Sequence, residues 1–237
     1  MRVSCFLILE SYSISNAVDD LENLITHLNF ESFHLYGHSY GGIVAYEFIK
    51  RSVESKENIQ PKLCLSVSLS STPCNVRKVD QEAEALLQDF KEITLPCAPE
   101  FDINTEIQRS EVEVQEASAE LFRKTHLCRT EKLPIPLHDA YMRKGSVWEG
   151  TEVIMDYVAT PLNSYTRTKA PPSLVMRGEM DFVSQEYSLL GWQKLLGTGN
   201  RNLFTLSECS HHGLLENESL YGETVLSFLL ENEACKQ

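Results

Sequence analysis

Between residues 16 and 28 the segment NAVDDLENLITHL repeats its apolar residues at helical spacing, so that Val18, Leu21, Leu24, Ile25 and Leu28 fall on one face. This predicts a helix with Asp19 and Asp20 in its first turn, where the dipole favours carboxylates, and His27 near the end that suits a cation. The pattern then changes. The run SFHLYG is short, aromatic and apolar enough for a buried strand, and GGIVAYEFIKRS returns Ile43, Val44, Phe48 and Ile49 near helical spacing. The run KLCLSVSLSS, Lys62 to Ser71, predicts a second strand ended by Thr72 and Pro73. Strand, helix, strand in that order implies a parallel sheet with crossover helices.

At about residue 75 the chain becomes charged and helical. VDQEAEALLQDFKEI and SEVEVQEASAELFRKTHL are both amphipathic, and LPIPLHDAY is a proline-containing joint. After Pro171 and Pro172 the sheet pattern resumes, with strand SLVMRG, a helix near SQEYSLLGWQKLL, strand NLFTLSE and an amphipathic helix ESLYGETVLSFLL. The expected organisation is a sheet-based core in two parts, 1–74 and 169–237, interrupted by a helical insertion over 75–168. The opening apolar run, Val3 to Leu9 broken by Ser4, is too short to span a membrane and reads as a strand or a displaced start.

With 237 residues, 42% hydrophobic and 23% charged, the chain can bury a sizeable core. A formal net charge of −13 argues against nucleic acid as a partner, because that affinity depends on lysine and arginine neutralising phosphates. Seven cysteines, at 5, 64, 74, 97, 128, 209 and 235, form no CxxC pair, and an odd number fits reduced thiols and a cytoplasmic setting.

The chemistry concentrates where the strands end. Gly37, Ser39 and Gly41 complete a G-x-S-x-G between a strand and a helix, the arrangement that lifts a serine hydroxyl above a sheet edge. Glycine is expected on both sides because a sharp turn leaves little room for a Cβ. Such a serine needs a base, and the base an orienting acid. Sheet-based hydrolases place them in the order nucleophile, acid, base, on loops after later strands. SLVMRG is followed by EMD, offering Glu179 and Asp181, and NLFTLSE is followed by CSHHG, offering His211 and His212. Periodicity decides neither contest. The remaining histidines carry less: His38 lies inside the elbow, and His126 and His138 have no metal-ligand spacing. The expected catalytic set is Ser39 as nucleophile, Asp181 as acid and His211 as base, with the backbone N–H of Tyr40 as one oxyanion donor. No HGGG-type or HGGPG-type stretch supplies a second, and no metal or cofactor is expected.

With these residues in place the sequence resembles the proline iminopeptidases, or prolyl aminopeptidases, of the α/β-hydrolase superfamily. GHSYGG is similar to that family's elbow, RGEMD to its acid segment, CSHHGLLENE to its base segment, and ELFRKTHLCRTEKLPIPLHDAY to its cap. The resemblance runs from about Ser13 to Leu230 and assigns the acid to Asp181 and the base to His211, with Glu216 at the family's spacing. It implies an α/β-hydrolase fold, a mostly parallel sheet with a helical cap, and a small peptide, amide or ester as substrate. Members begin with further strands and an HGGPG loop, so the chain resembles an N-terminally truncated member whose first strands are missing. Where the family carries acidic residues that hold a substrate's amino group, this chain has Ser164 in NSYT and Phe182. Three readings remain: a proline iminopeptidase-type serine hydrolase, a general esterase or amidase, and a non-catalytic remnant.

Overall fold

The computed structural model describes residues 13–55, 63–94, 111–143, 154–196 and 201–234. The strand expected over Val3 to Leu9 lies outside them. The first helix, α1 (Ile14–His27), starts earlier than its apolar period suggests, because Ser13 caps it by accepting the Asn16 N–H at 3.0 Å. Asp19 and Asp20 therefore stand in the second turn, and the first turn holds no acid. Val18 and Ile25 are buried as expected, but Leu24 and Leu28 are 53% and 48% exposed. The stripe that α1 buries is narrower than the stripe its sequence offers.

Four parallel strands follow in spatial order: β1 (Ser32–His38), β2 (Leu63–Ser70), β3 (Ser173–Gly178) and β4 (Arg201–Leu206). Helix α2 (Tyr40–Glu54) crosses from β1 to β2. Alternation along the strands sorts the residues onto two faces. Val67 and Leu69 of β2 and Val175 of β3 pack with Val18, Tyr46, Ile49 and Trp192 on the face covered by α1, α2 and a later helix. Leu174 and Met176 of β3 and Leu206 of β4 point the other way, onto Tyr221 and Phe228. β2 offers that second face only serines, Ser66, Ser68 and Ser70, all buried.

The long segment between β2 and β3 holds α3 (Val76–Thr94), α4 (Glu111–Phe122), a five-residue π turn (Arg123–Leu127) and α5 (Ile135–Met142). Its base is pinched by an antiparallel bridge between Asn75 and Val158, and Ala159 N–H donates to Cys74 O at 2.8 Å. From Ile135 onward the joint LPIPLHDAY is helix α5, with Pro134 as its N-cap. Pro136 falls in its first turn, where a backbone N–H would have no intrahelical acceptor, so the ring costs no hydrogen bond there.

After β3 the chain forms a π turn (Glu186–Leu190) that runs into α6 (Gly191–Leu196), and Trp192 Nε1 donates to Thr72 O at 2.7 Å. The short α7 (Gly213–Glu216) and the long α8 (Glu218–Ala234) close the described chain. α8 does not divide cleanly into an apolar and a polar face. Tyr221 and Phe228 are buried, while Leu226 and Leu230 are 56% and 59% exposed.

Candidate active site

The loops that leave β1, β3 and β4 at their C-terminal ends carry Ser39, Asp181 and His211. Ser39 links β1 directly to α2 with φ 51° and ψ −119°, a conformation that L-residues adopt only at a cost of about 1–3 kcal/mol. The turn is held from behind: the Ser39 N–H donates to Ser70 O at 2.8 Å, and Ser39 O accepts from Gly42 N at 3.0 Å. A Cβ on Gly37 would collide with the backbone of Gly41 and Gly42, and one on Gly42 would collide with the Thr72 side chain. A Cβ on Gly41 would meet nothing within 4 Å. Of the motif's two glycines, only Gly37 is required by packing, and the second required glycine is Gly42, outside the motif. Tyr40 is the first residue of α2, so its N–H sits at a helix end where partial positive charge gathers.

Asp181 and His211 meet. His211 Nδ1 donates to Asp181 Oδ1 at 2.9 Å, and their side chains are 5% and 0% exposed respectively. This hydrogen bond fixes the tautomer and leaves Nε2 as the accepting nitrogen. The Val183 N–H also donates to Asp181 Oδ1, at 2.9 Å. Burial pushes the Asp181 carboxyl up, but His211, by its charge and its hydrogen bond, and the Val183 amide outweigh it and hold the carboxyl below its ordinary value.

The competing residues are engaged elsewhere. Glu179 Oε2 accepts the backbone N–H of Glu208 at 3.1 Å, and His212 Nε2 faces the Tyr141 hydroxyl at 3.4 Å. The base loop is braced from within: Glu216 accepts both the backbone N–H and the hydroxyl of Ser210, at 2.6 and 2.5 Å. From across the sheet, His38 Nε2 and Ser71 Oγ both donate to His211 O, at 2.8 and 3.2 Å. Ser71 follows the end of β2 with φ 50°.

Three imidazoles therefore crowd together, with His38 4.8 Å from His211 and 5.2 Å from His212 between ring centres. Burial, then the neighbouring His211, lowers His38 to about 4, and burial, His211 and His38 lower His212 to about 3. Both flanking rings are neutral at neutral pH, and neither bonds to the Asp181 carboxylate. Phe182, directly after Asp181, lays its ring 4.4 Å from that of His211.

Three contributors escape a reading by motif. Arg177, buried at the end of β3, donates from Nε to Val183 O at 2.9 Å and from Nη2 to Asp181 O at 2.8 Å, so a guanidinium shapes the acid loop. The signal was present, since a charged residue closes an otherwise apolar strand in SLVMRG. Ser71 and His126, the latter donating from Nδ1 to Met180 O, carried no such signal, because each acts on a backbone group distant in sequence. Among the described residues, no group of three His, Cys, Asp or Glu side chains is arranged to hold a metal ion, and no helix is long and apolar enough to cross a membrane.

A family model described as alpha/beta hydrolase fold matches residues 3–218. No curated protein matches the sequence. Among solved structures, the fold is similar to that of the proline iminopeptidase of Mycobacterium smegmatis, with a TM-score of 0.70 and 18% identity over 97% of this chain and 75% of that one. VinJ gives 0.66 and 17% identity over 94% and 74%, and a structure from work on carboxylesterases of the thaumarchaeon Nitrososphaera gargenis gives 0.50 and 14% over 94% and 74%. At these identities the likeness is one of fold.

Proposed function

We propose, from the premise that the chain belongs to the alpha/beta hydrolase family, that it is a serine hydrolase in which Ser39 is the nucleophile, His211 the base and Asp181 the acid. The observation that carries this reading is the buried 2.9 Å bond from His211 to Asp181, on loops at the same sheet end as the strained Ser39. His211 Nε2 accepts the Ser39 proton as Oγ attacks a carbonyl carbon, and later returns it to the leaving group. Asp181, held ionised, stabilises the imidazolium formed in between. The Tyr40 N–H, at the start of α2, donates to the developing oxyanion, a contribution whose loss costs roughly two to three powers of ten in turnover.

The reaction class this supports best is removal of an N-terminal residue, proline in particular, from small peptides. Support comes from the elbow, acid, base and cap segments quoted above. A second reading, a general esterase or amidase, is favoured by one observation: Phe182, not a carboxylate, follows Asp181 and covers the His211 ring. A fluorophosphonate probe tests the shared premise, since it should label the wild type and not Ser39→Ala; an unlabelled wild type overturns it. Proline naphthylamide set against p-nitrophenyl acetate then separates the two readings, turnover of the ester alone ruling out the first.

A further inference from the structure

The π turn Arg123–Leu127 touches both the acid and the base loop. His126 Nδ1 donates to Met180 O at 2.7 Å, the carbonyl directly before Asp181. His126 O accepts the N–H of His211 at 3.2 Å, and Leu127 O accepts the N–H of His212 at 3.0 Å. One residue thus holds the acid loop by its ring and the base loop by its main chain. The two loops are also joined directly, Met180 N–H donating to Cys209 O at 2.8 Å and Glu179 N–H to Leu206 O at 2.9 Å. Those bonds secure residues that precede Asp181 and His211, whereas His126 reaches the peptide group of Asp181 and the amide of His211 itself.

The ring of His126 is fixed on its other sides. Phe90 and Phe122 lie 5.8 and 5.6 Å from it, and Phe122 continues to Phe182 at 5.9 Å. The turn is stiffened by Arg123, whose Nη1 donates to Cys128 O at 2.9 Å and to Thr130 O at 3.3 Å while Nε and Nη2 each bond Glu120 at 2.7 Å. A donor with so little freedom transmits its own position to the carbonyl it holds.

We propose that His126 is a positioning residue: it sets the Asp181 loop against the His211 loop, so that the geometry of their hydrogen bond depends on the seating of the segment between β2 and β3. This rests on the reading of Ser39, Asp181 and His211 as a triad. Each hydrogen bond adds little to stability by itself. Placement matters more, because a misplacement of about 1 Å can cost roughly a hundredfold in rate.

The test uses His126→Asn, His126→Gln and His126→Phe. Asn carries an amide N–H where Nδ1 sits, Gln carries one where Nε2 sits, and Phe keeps the packing without a donor. The rate of fluorophosphonate labelling and the far-downfield proton resonance of the His211 to Asp181 bond are read in each, beside thermal midpoints. His126→Asn should match the wild type, and the Gln and Phe variants should label about tenfold more slowly or worse, with the resonance broadened or lost. Gln and Phe variants that behave as wild type, or an Asn variant that falls as far as Gln, overturn the proposal. If the Phe variant does not fold, the Asn and Gln pair still decides. A wild type that does not label overturns the serine hydrolase reading separately. The resonance then decides for His126: kept in Asn and lost in Gln supports the positioning role, unchanged in Gln overturns it.

Discussion

The elbow after β1 and the acid loop after β3 end neighbouring parts of one sheet, yet they are held by opposite means. At the elbow the constraint is an absence of atoms: Gly37 and Gly42 let backbone approach backbone and Thr72, and Ser39 is forced to φ 51°. At the acid loop the constraint is a surplus of donors: Arg177 holds two carbonyls, the Val183 amide holds the carboxylate and His126 holds Met180 O. Close backbone approach dominates at the nucleophile, whose turn two main-chain bonds also hold, and hydrogen bonds from side chains and an amide dominate at the acid. The first kind of restraint fails abruptly on a single methyl group, and the second fails by degrees.

The largest expected effect tests whether the two ends serve one reaction. Ser39→Ala should abolish fluorophosphonate labelling and lower hydrolysis of a responsive ester by about three powers of ten or more, read by initial rates. Gly37→Ala should strike the steric side hardest, costing about 3 kcal/mol in a urea melt because its Cβ meets main-chain atoms that cannot turn aside. Arg177→Met should cost less, about 2 kcal/mol by the same measurement, by leaving the buried carbonyls of Asp181 and Val183 unpartnered, and it should also slow turnover.

A milder perturbation is pH. His38 and His212 are depressed to about 4 and 3 in the folded protein, so between pH 6.5 and pH 4 these two residues bind more protons in the unfolded chain than in the folded one. Their contribution is complete above pH 6.5 and is lost as pH falls through this window. The thermal midpoint should therefore decline from pH 7 to pH 4 less steeply in His38→Gln than in the wild type. Asp181, depressed below 3.8, adds its own loss only at still lower pH. Smallest of all, Gly41→Ala should leave the urea midpoint unchanged to within about 0.5 kcal/mol, since nothing stands where its Cβ would go. A large loss there would erase the distinction between the motif's two glycines.

Sequence reading succeeds where chemistry and periodicity are local. The run SLVMRG is β3 residue for residue, and the two loops searched for an acid and a base are the loops that meet. It falls short where the outcome depends on what covers a surface. Leu24, Leu28, Leu226 and Leu230 sit at helical spacing, but no neighbour in the described residues buries them fully, and spacing carries no information about coverage. Periodicity left open the choice between Glu179 and Asp181 and between His211 and His212; the family resemblance made it, and the side-chain bond joining Asp181 to His211 spans a sequence distance that periodicity does not reach. Helix α5 was hidden by its prolines, which interrupt a helix only beyond its first turn.

The pairing of β2 with β3, Val67 opposite Ser173, spans the whole of the intervening helical segment, whereas β1 to β2 and β3 to β4 each join across a single short crossover. Closing the longer loop carries the larger entropic cost, and contacts distant in sequence slow folding. Loop closure alone therefore favours the two strand pairs over the β2 to β3 seam that joins them. His126 lies within the segment that the seam encloses and bonds to the β3 and β4 unit through Met180 and His211. The longest closure in the sheet thus encloses the residue that ties the acid and base loops together, whereas the elbow depends on the short closure between β1 and β2.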